Sequence, residues 1–179
     1  MELRELFRTF GGASFNGGIY RILCSEETDK WDALISEVFP SFGGRTTCFA
    51  LDWLGRLFAL DPARLSSGKP AVVMFEPGTG QSLEIPCNLT QFHESELITY
   101  QEQALAKGFY DAWQSKGGPP PSPEQCIGYK VPLFLGGSDT VDNLEVSDLD
   151  VYWTIIAQLI LQVRGISRGA RIATVKISH

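Results

Sequence analysis

The alternation of apolar and polar residues predicts short strands in the first half of the chain. The alternating segments are residues 19–23, 46–53, 56–60, 71–75 and 82–85. Leu54-Gly55 favours a tight turn between the second and third segments, and the run from Pro77 to Gly80 favours another between the last two. Strands this short, joined by turns, pair with their neighbours along the chain, so the pattern predicts an antiparallel meander.

Apolar residues at helical spacing flank the predicted strands. This spacing occurs in residues 1–10, 25–38, 90–115 and 147–163. We expect Gly108 to divide the third segment into two helices, and residues 126–135 to form one more strand. The predicted fold class is therefore α+β, an antiparallel sheet (a meander) with helices packed on one side.

These patterns also predict one hydrophobic core shared by the sheet and the helices. Its expected members are Trp31, Phe49, Leu51, Phe58, Val73, Phe75, Ile155 and Leu159. In the last helix, we expect an apolar face made by Val151, Ile155, Leu159 and Val163, which packs across the sheet.

Composition and charge exclude several classes of protein. The chain has 179 residues, 44% of them hydrophobic, which excludes an intrinsically disordered protein. No apolar run approaches the roughly 20 residues of a membrane helix, and the first residues lack the pattern of a signal peptide, so we expect a cytoplasmic protein. The net charge is −6, and four of the 15 basic residues lie after position 163, which leaves −10 on residues 1–163. Such an acidic body repels nucleic acid and attracts a basic partner, although acidity also serves solubility alone.

No motif indicates an enzyme, a cofactor or a metal site. His93-Glu94 starts like a zinc-protease helix, but Leu97 stands where the second histidine is required. The four cysteines, Cys24, Cys48, Cys87 and Cys126, are too far apart for closely spaced zinc-ligand pairs, so we expect free thiols. Acid–base catalysis would need paired carboxylates from the strand region. Asp52, Asp61, Glu76 and Glu84 keep a hydrolase open as a minor alternative.

An acidic segment near the C-terminus is the candidate binding site. Four acids occur in ten residues with no base among them: Asp139, Asp142, Glu145 and Asp148. The register of a calcium-binding loop is absent. We expect these acids to form a partner-binding surface, joined by Glu76 beside the Pro77-Gly78 turn, with a merely solvated loop as the alternative.

Three groups of segments resemble a known family. Residues 15–22, which read Phe-Asn-Gly-Gly-Ile-Tyr-Arg-Ile, and the helix around Trp31 resemble the GAD-like domain of bacterial immunity proteins, and residues 48–58 and 75–80 continue the similarity. Residues 128–137, followed by Trp153 and Leu159, resemble the C-terminal domain of type VI secretion DNase immunity proteins. Both are similar to the wider SUKH group.

The resemblance implies a domain division and a function. It implies a GAD-like region (1–118), an immunity C-terminal region (119–165) packed on the same core, and a basic tail (166–179). It implies a non-catalytic cytoplasmic protein that binds and occludes a cognate type VI secretion toxin, with a basic DNase as the expected partner. An acidic inhibitor is suited to the basic cleft of a nuclease. The alternative is a non-catalytic adaptor of the SUKH type that binds another protein.

Overall fold

A six-stranded antiparallel sheet lies at the centre of residues 2–164, the part of the chain that the computed structural model describes. Each strand pairs with the next one along the chain. The strands are β1 (Ser14–Phe15), β2 (Tyr20–Ile22), β3 (Thr47–Asp52), β4 (Leu57–Ser66), β5 (Lys69–Glu76) and β6 (Gln81–Asn88). The α+β class and the antiparallel meander are confirmed. The predicted basic tail, residues 166–179, lies outside the described residues.

Helices and a small second sheet complete this part of the chain. The helices are α1 (Leu3–Phe10), α2 (Thr28–Val38), α3 (Leu89–Gln91), α4 (Leu97–Thr99), α5 (Gln101–Leu105), α6 (Lys107–Ser115) and α7 (Leu149–Val163), with a π-helix at Phe92–Glu96 between α3 and α4. The second sheet pairs β7 (Gln125–Tyr129) with β8 (Leu144–Asp148). None of the helices among the described residues is long and apolar enough to cross a membrane.

The core of the described residues consists of two clusters rather than the single core predicted. Because side chains alternate along a strand, neighbours in β4 and β5 belong to different clusters. Leu57 and Phe75 join Trp31 of α2 and Trp153 of α7, on the side where these two helices pack. Phe58 and Met74 join a second cluster, to which α1 and the helical region 89–115 contribute.

The buried face of α7 also differs from the predicted one. Its buried residues are Leu149, Tyr152, Trp153, Ile156, Ala157, Leu159 and Ile160. Of the predicted face, Leu159 is buried, but Val151 is 56% exposed. A helix that is apolar nearly all round shows no clear periodicity, so its sequence does not predict which face is buried.

Three element boundaries depart from the sequence-based expectations. The helical region is broken at Tyr100 and at Ala106, which adopts a left-handed conformation, and not at Gly108, which lies inside α6. The strand expected over residues 126–135 ends at Tyr129, and a 3-10 turn at Leu133–Leu135 follows Pro132. β8 was not predicted, because its exposed residues, Glu145 and Val146 among them, do not alternate as in a half-buried strand.

Candidate functional site

Two of the predicted acidic residues, Asp139 and Glu76, lie near the side chain of Tyr129. The hydroxyl of Tyr129 donates a hydrogen bond to Asp139 Oδ1 at 2.7 Å. Glu76 ends β5 and is half-buried, with its carboxylate accepting from the Thr79 hydroxyl at 3.3 Å. Burial raises the pKa of Glu76, Arg56 opposes this rise, and the negative charge of Asp139 adds to it. The fold therefore places Asp139 close enough to act on Glu76.

Asp142 is exposed but is not a free negative charge. Lys116 Nζ lies 2.7 Å from Asp142 Oδ1, and this contact lowers the pKa of Asp142. Lys130 donates to the backbone oxygen of Asp142 at 2.9 Å. The segment itself contains no base, but the fold supplies two lysines from elsewhere in the chain.

Glu145 and Asp148 line one groove between β8, α7 and the segment after β7. Glu145 lies on β8 opposite Gly128, and Asp148 caps α7 by accepting from the Val151 backbone N–H at 2.9 Å. The groove encloses about 520 Å³, and much of its wall is apolar, with Val151, Ile155 and Leu159 among its residues. Acids beside an apolar surface suit a partner that offers both basic and apolar groups.

A second groove brings Asp148 together with three acids that the sequence analysis did not select. It lies between β2, α2 and the start of α7, encloses about 440 Å³, and has Glu27, Glu124, Asp148 and Asp150 in its wall. Lys30 of α2 forms an ion pair with Asp150 across it. Asp150 was visible in the sequence beside Asp148, but Glu27 and Glu124 come from distant segments that only the fold brings together.

Three of the four strand carboxylates considered for a hydrolase form salt bridges with arginines. Asp52 forms a salt bridge of 2.6 Å with Arg56, and Asp61 one of 2.9 Å with Arg45. Glu84 lies 3.2 Å from Arg64. These three carboxylates therefore have structural contacts, and nothing in their geometry brings two of them together as an acid–base pair.

The cysteines are buried or half-buried free thiols. Burial raises the pKa of Cys87 and of Cys126 to about 12, so both remain protonated at neutral pH. Among the described residues, no group of three His, Cys, Asp or Glu side chains is placed to hold a metal ion.

Comparison with known proteins finds a family similarity over residues 89–160. Residues 89–160 match the family model of the type VI secretion immunity protein Tdi1, C-terminal domain. This match confirms the resemblance to type VI secretion immunity proteins. It includes four of the five predicted acidic residues, and only Glu76 lies outside it. An immunity function against a toxin is supported by this family.

A solved structure with the same fold is known. The crystal structure of Atu4351 from Agrobacterium tumefaciens superposes with a TM-score of 0.55 at 14% sequence identity, over 82% of this chain and 69% of that one. At this identity, the similarity describes the fold alone. No curated protein sequence matches the chain significantly.

Proposed function

We propose that this protein neutralises a type VI secretion DNase by binding it through an acidic surface and occluding its DNA-binding cleft. The observation that carries the proposal is the family match over residues 89–160, because the same segment holds most of the candidate acids. A nuclease must attract phosphate groups, so its cleft is basic and complements an acidic inhibitor.

We propose further that Asp139, Asp142, Glu145, Asp148 and Glu76 belong to the toxin-binding surface. Glu145 and Asp148 form its centre, because they line the apolar groove beside α7 and make no ion pair within residues 2–164. Asp142, already paired with Lys116, contributes less. In this proposal residues 1–118 form a GAD-like region and residues 119–165 the immunity region on the same core.

The test of the proposal uses a nuclease toxin encoded beside the gene for this chain, and a locus without such a gene would favour the adaptor. We expect the purified chain to bind the toxin, to stop its cleavage of plasmid DNA, and to let cells that express the toxin survive. Binding without loss of DNA cleavage would contradict occlusion. Absence of binding would contradict the immunity function towards this toxin and would favour an adaptor for another protein.

A further inference from the structure

The second groove, which we call the Arg21 groove, contains a buried guanidinium with one unsatisfied donor. Arg21 on β2 is only 4% exposed. Its Nη1 donates to the backbone oxygens of Ser122 and Pro123 at 2.9 and 2.8 Å, and its Nη2 donates to the backbone oxygen of Asp52 at 3.4 Å. Its Nε has no hydrogen-bond partner. Buried donors are nearly always paired, so an unpaired one is a candidate ligand contact.

Trp31 supplies a second unsatisfied donor in the wall of the same groove. Trp31 is 1% exposed, and its indole Nε1 has no hydrogen-bond partner. The other three tryptophans, all within residues 2–164, donate to backbone oxygens at 2.8 to 2.9 Å: Trp53 to Leu105, Trp113 to Pro119 and Trp153 to Gly55. Trp31 therefore differs from the other three tryptophans, because its indole N–H has no acceptor within residues 2–164.

The charge of the Arg21 groove is negative in spite of Arg21. Its wall carries four carboxylates against two cations, Arg21 and Lys30. Lys30 is already paired with Asp150, and Arg21 is held by backbone oxygens. Within the described residues, neither Glu124 nor Asp148 forms an ion pair. A cation entering the groove would meet these two carboxylates.

We infer that the Arg21 groove binds a basic side chain of the toxin together with a neighbouring backbone carbonyl. The inference rests on the proposed function and adds the chemistry of the segment that the toxin inserts. A peptide segment with Lys or Arg meets both requirements at once, because its carbonyl accepts from Arg21 Nε or Trp31 Nε1 and its cation pairs with Glu124 and Asp148. The four carboxylates in the wall disfavour a free anion as the ligand.

A small probe tests the groove without the toxin. We would titrate isotope-labelled protein with N-acetyl-arginine methylamide and follow the four tryptophan indole N–H resonances by NMR. We expect the Trp31 resonance to shift and the other three to stay in place. N-acetyl-alanine methylamide, which keeps the carbonyl but lacks the cation, and acetate, an anion, are the matched probes. An unmoved Trp31 resonance, or an equal shift with either matched probe, would overturn the inference.

A pair of double variants tests the groove in the complex. Glu124→Gln with Asp148→Asn removes two charges from the groove, and Asn retains the helix-capping ability of Asp148. Glu37→Gln with Glu94→Gln removes two charges from exposed positions outside it. We expect the dissociation constant of the toxin complex to rise about tenfold or more for the groove variant and less than about twofold for the control.

The outcomes separate the two proposals. Equal weakening in both variants would mean that only total charge matters, and it would overturn the groove. If the toxin does not bind the parent chain but the arginine probe shifts Trp31, the groove stands and the proposed immunity function towards that toxin fails. Melting temperatures of both variants check that the fold is intact.

Discussion

The buried ion pair of Asp52 and Arg56 shows how single residues hold this fold. The two side chains are 0% and 7% exposed and lie on either side of the turn between β3 and β4. Asp52 Oδ1 also accepts from the backbone N–H groups of Leu54 and Arg56, at 3.0 and 2.9 Å. Arg56 Nη2 donates to the Ala104 oxygen at 3.1 Å. The pair therefore fixes the turn and ties it to α5.

Loss of one member of this pair should be costly. Asp52→Asn leaves the Arg56 charge buried without its counter-ion, and breaking a buried pair in this way costs about 3–5 kcal/mol of unfolding free energy. Glu84→Gln breaks the exposed pair with Arg64 and should cost at most about 1 kcal/mol. Urea denaturation of both variants measures the difference. Similar small losses would mean that Arg56 finds other partners.

His93 should make stability depend on pH. Its Nδ1 lies 2.9 Å from the Leu89 oxygen and so must donate, which leaves the neutral Nε2 to accept from the Tyr20 hydroxyl at 3.0 Å. Burial lowers the pKa of His93 below its usual 6.5. Just below pH 6.5, the unfolded chain therefore binds a proton that the folded chain does not. The stability from this group is complete above that pH and declines as the pH falls towards the folded pKa.

The test compares the parent chain with His93→Gln, whose side chain is neutral and can still accept from Tyr20. The parent should lose more unfolding free energy than the variant between about pH 7.5 and about pH 5.5, because other groups titrate alike in both proteins. Denaturant titrations at the two pH values measure this. An equal pH dependence would show that His93 does not contribute to it.

At the scale of elements, β5 packs against the segment that follows α2 through aromatic rings. The Phe75 ring is fully buried, and its centroid lies 4.9 Å from that of Phe39 and 5.1 Å from that of Phe42. These two rings come from the segment that follows α2. Phe75 therefore packs β5 against the segment after α2 through aromatic contacts.

Truncation of Phe75 should measure the strength of this junction. Phe75→Ala should lower the unfolding free energy by about 3–5 kcal/mol, through lost burial and a residual cavity. Leu83→Ala on β6, whose parent side chain is 55% exposed, should cost less than about 1 kcal/mol. Thermal melts of the two variants give the comparison. A melting temperature unchanged by Phe75→Ala would remove this residue from the core.

The sequence predicted elements well where local signals were strong. The turns at Leu54-Gly55 and at residues 77–80 gave the correct strand pairs, because glycine permits the positive φ of a tight turn and proline fixes its own φ. The β4–β5 hairpin extends beyond Leu60 to a turn at Ser67-Gly68, and its register shifts between Asp61 and Leu65. A bulge of this kind interrupts the alternation of apolar and polar residues, so the sequence pattern did not predict that β4 continues beyond Leu60.

At the scale of the whole molecule, the arrangement of charge could be predicted only in part. The acidity of the body follows from composition, whereas the capping of α7 by Asp148 is seen only in the structure. The placement of Glu76 beside Asp139, and of Glu27 and Glu124 beside Asp148, arises from contacts between distant segments. Local sequence carries no signal for such contacts, and for the same reason it did not show that lysines partly neutralise Asp142.

The last prediction concerns how this charge acts on the toxin. Reversing Asp142 and Glu145 together to Lys should raise the toxin's dissociation constant by about tenfold or more, through lost attraction at the interface. The melting temperature should change little, since Asp142 is 83% exposed and Glu145 is also exposed. Glu145→Lys alone should account for most of the effect, because Lys116 already pairs with Asp142. Reversing Glu37 and Glu94 to Lys is the matched control.

The dependence on salt completes this test. Charges that attract the toxin from a distance are screened beyond about 10 Å at roughly 0.1 M salt, so added salt should slow association of the parent chain more than that of the reversed variant. Stopped-flow measurements at two salt concentrations give both rates. If the reversed variant binds the toxin and protects cells as well as the parent does, the segment 139–148 is solvated surface. The immunity function would then depend on another surface. Because Glu124 lines the Arg21 groove but lies outside this segment, Glu124→Gln alone would test whether that surface is the groove.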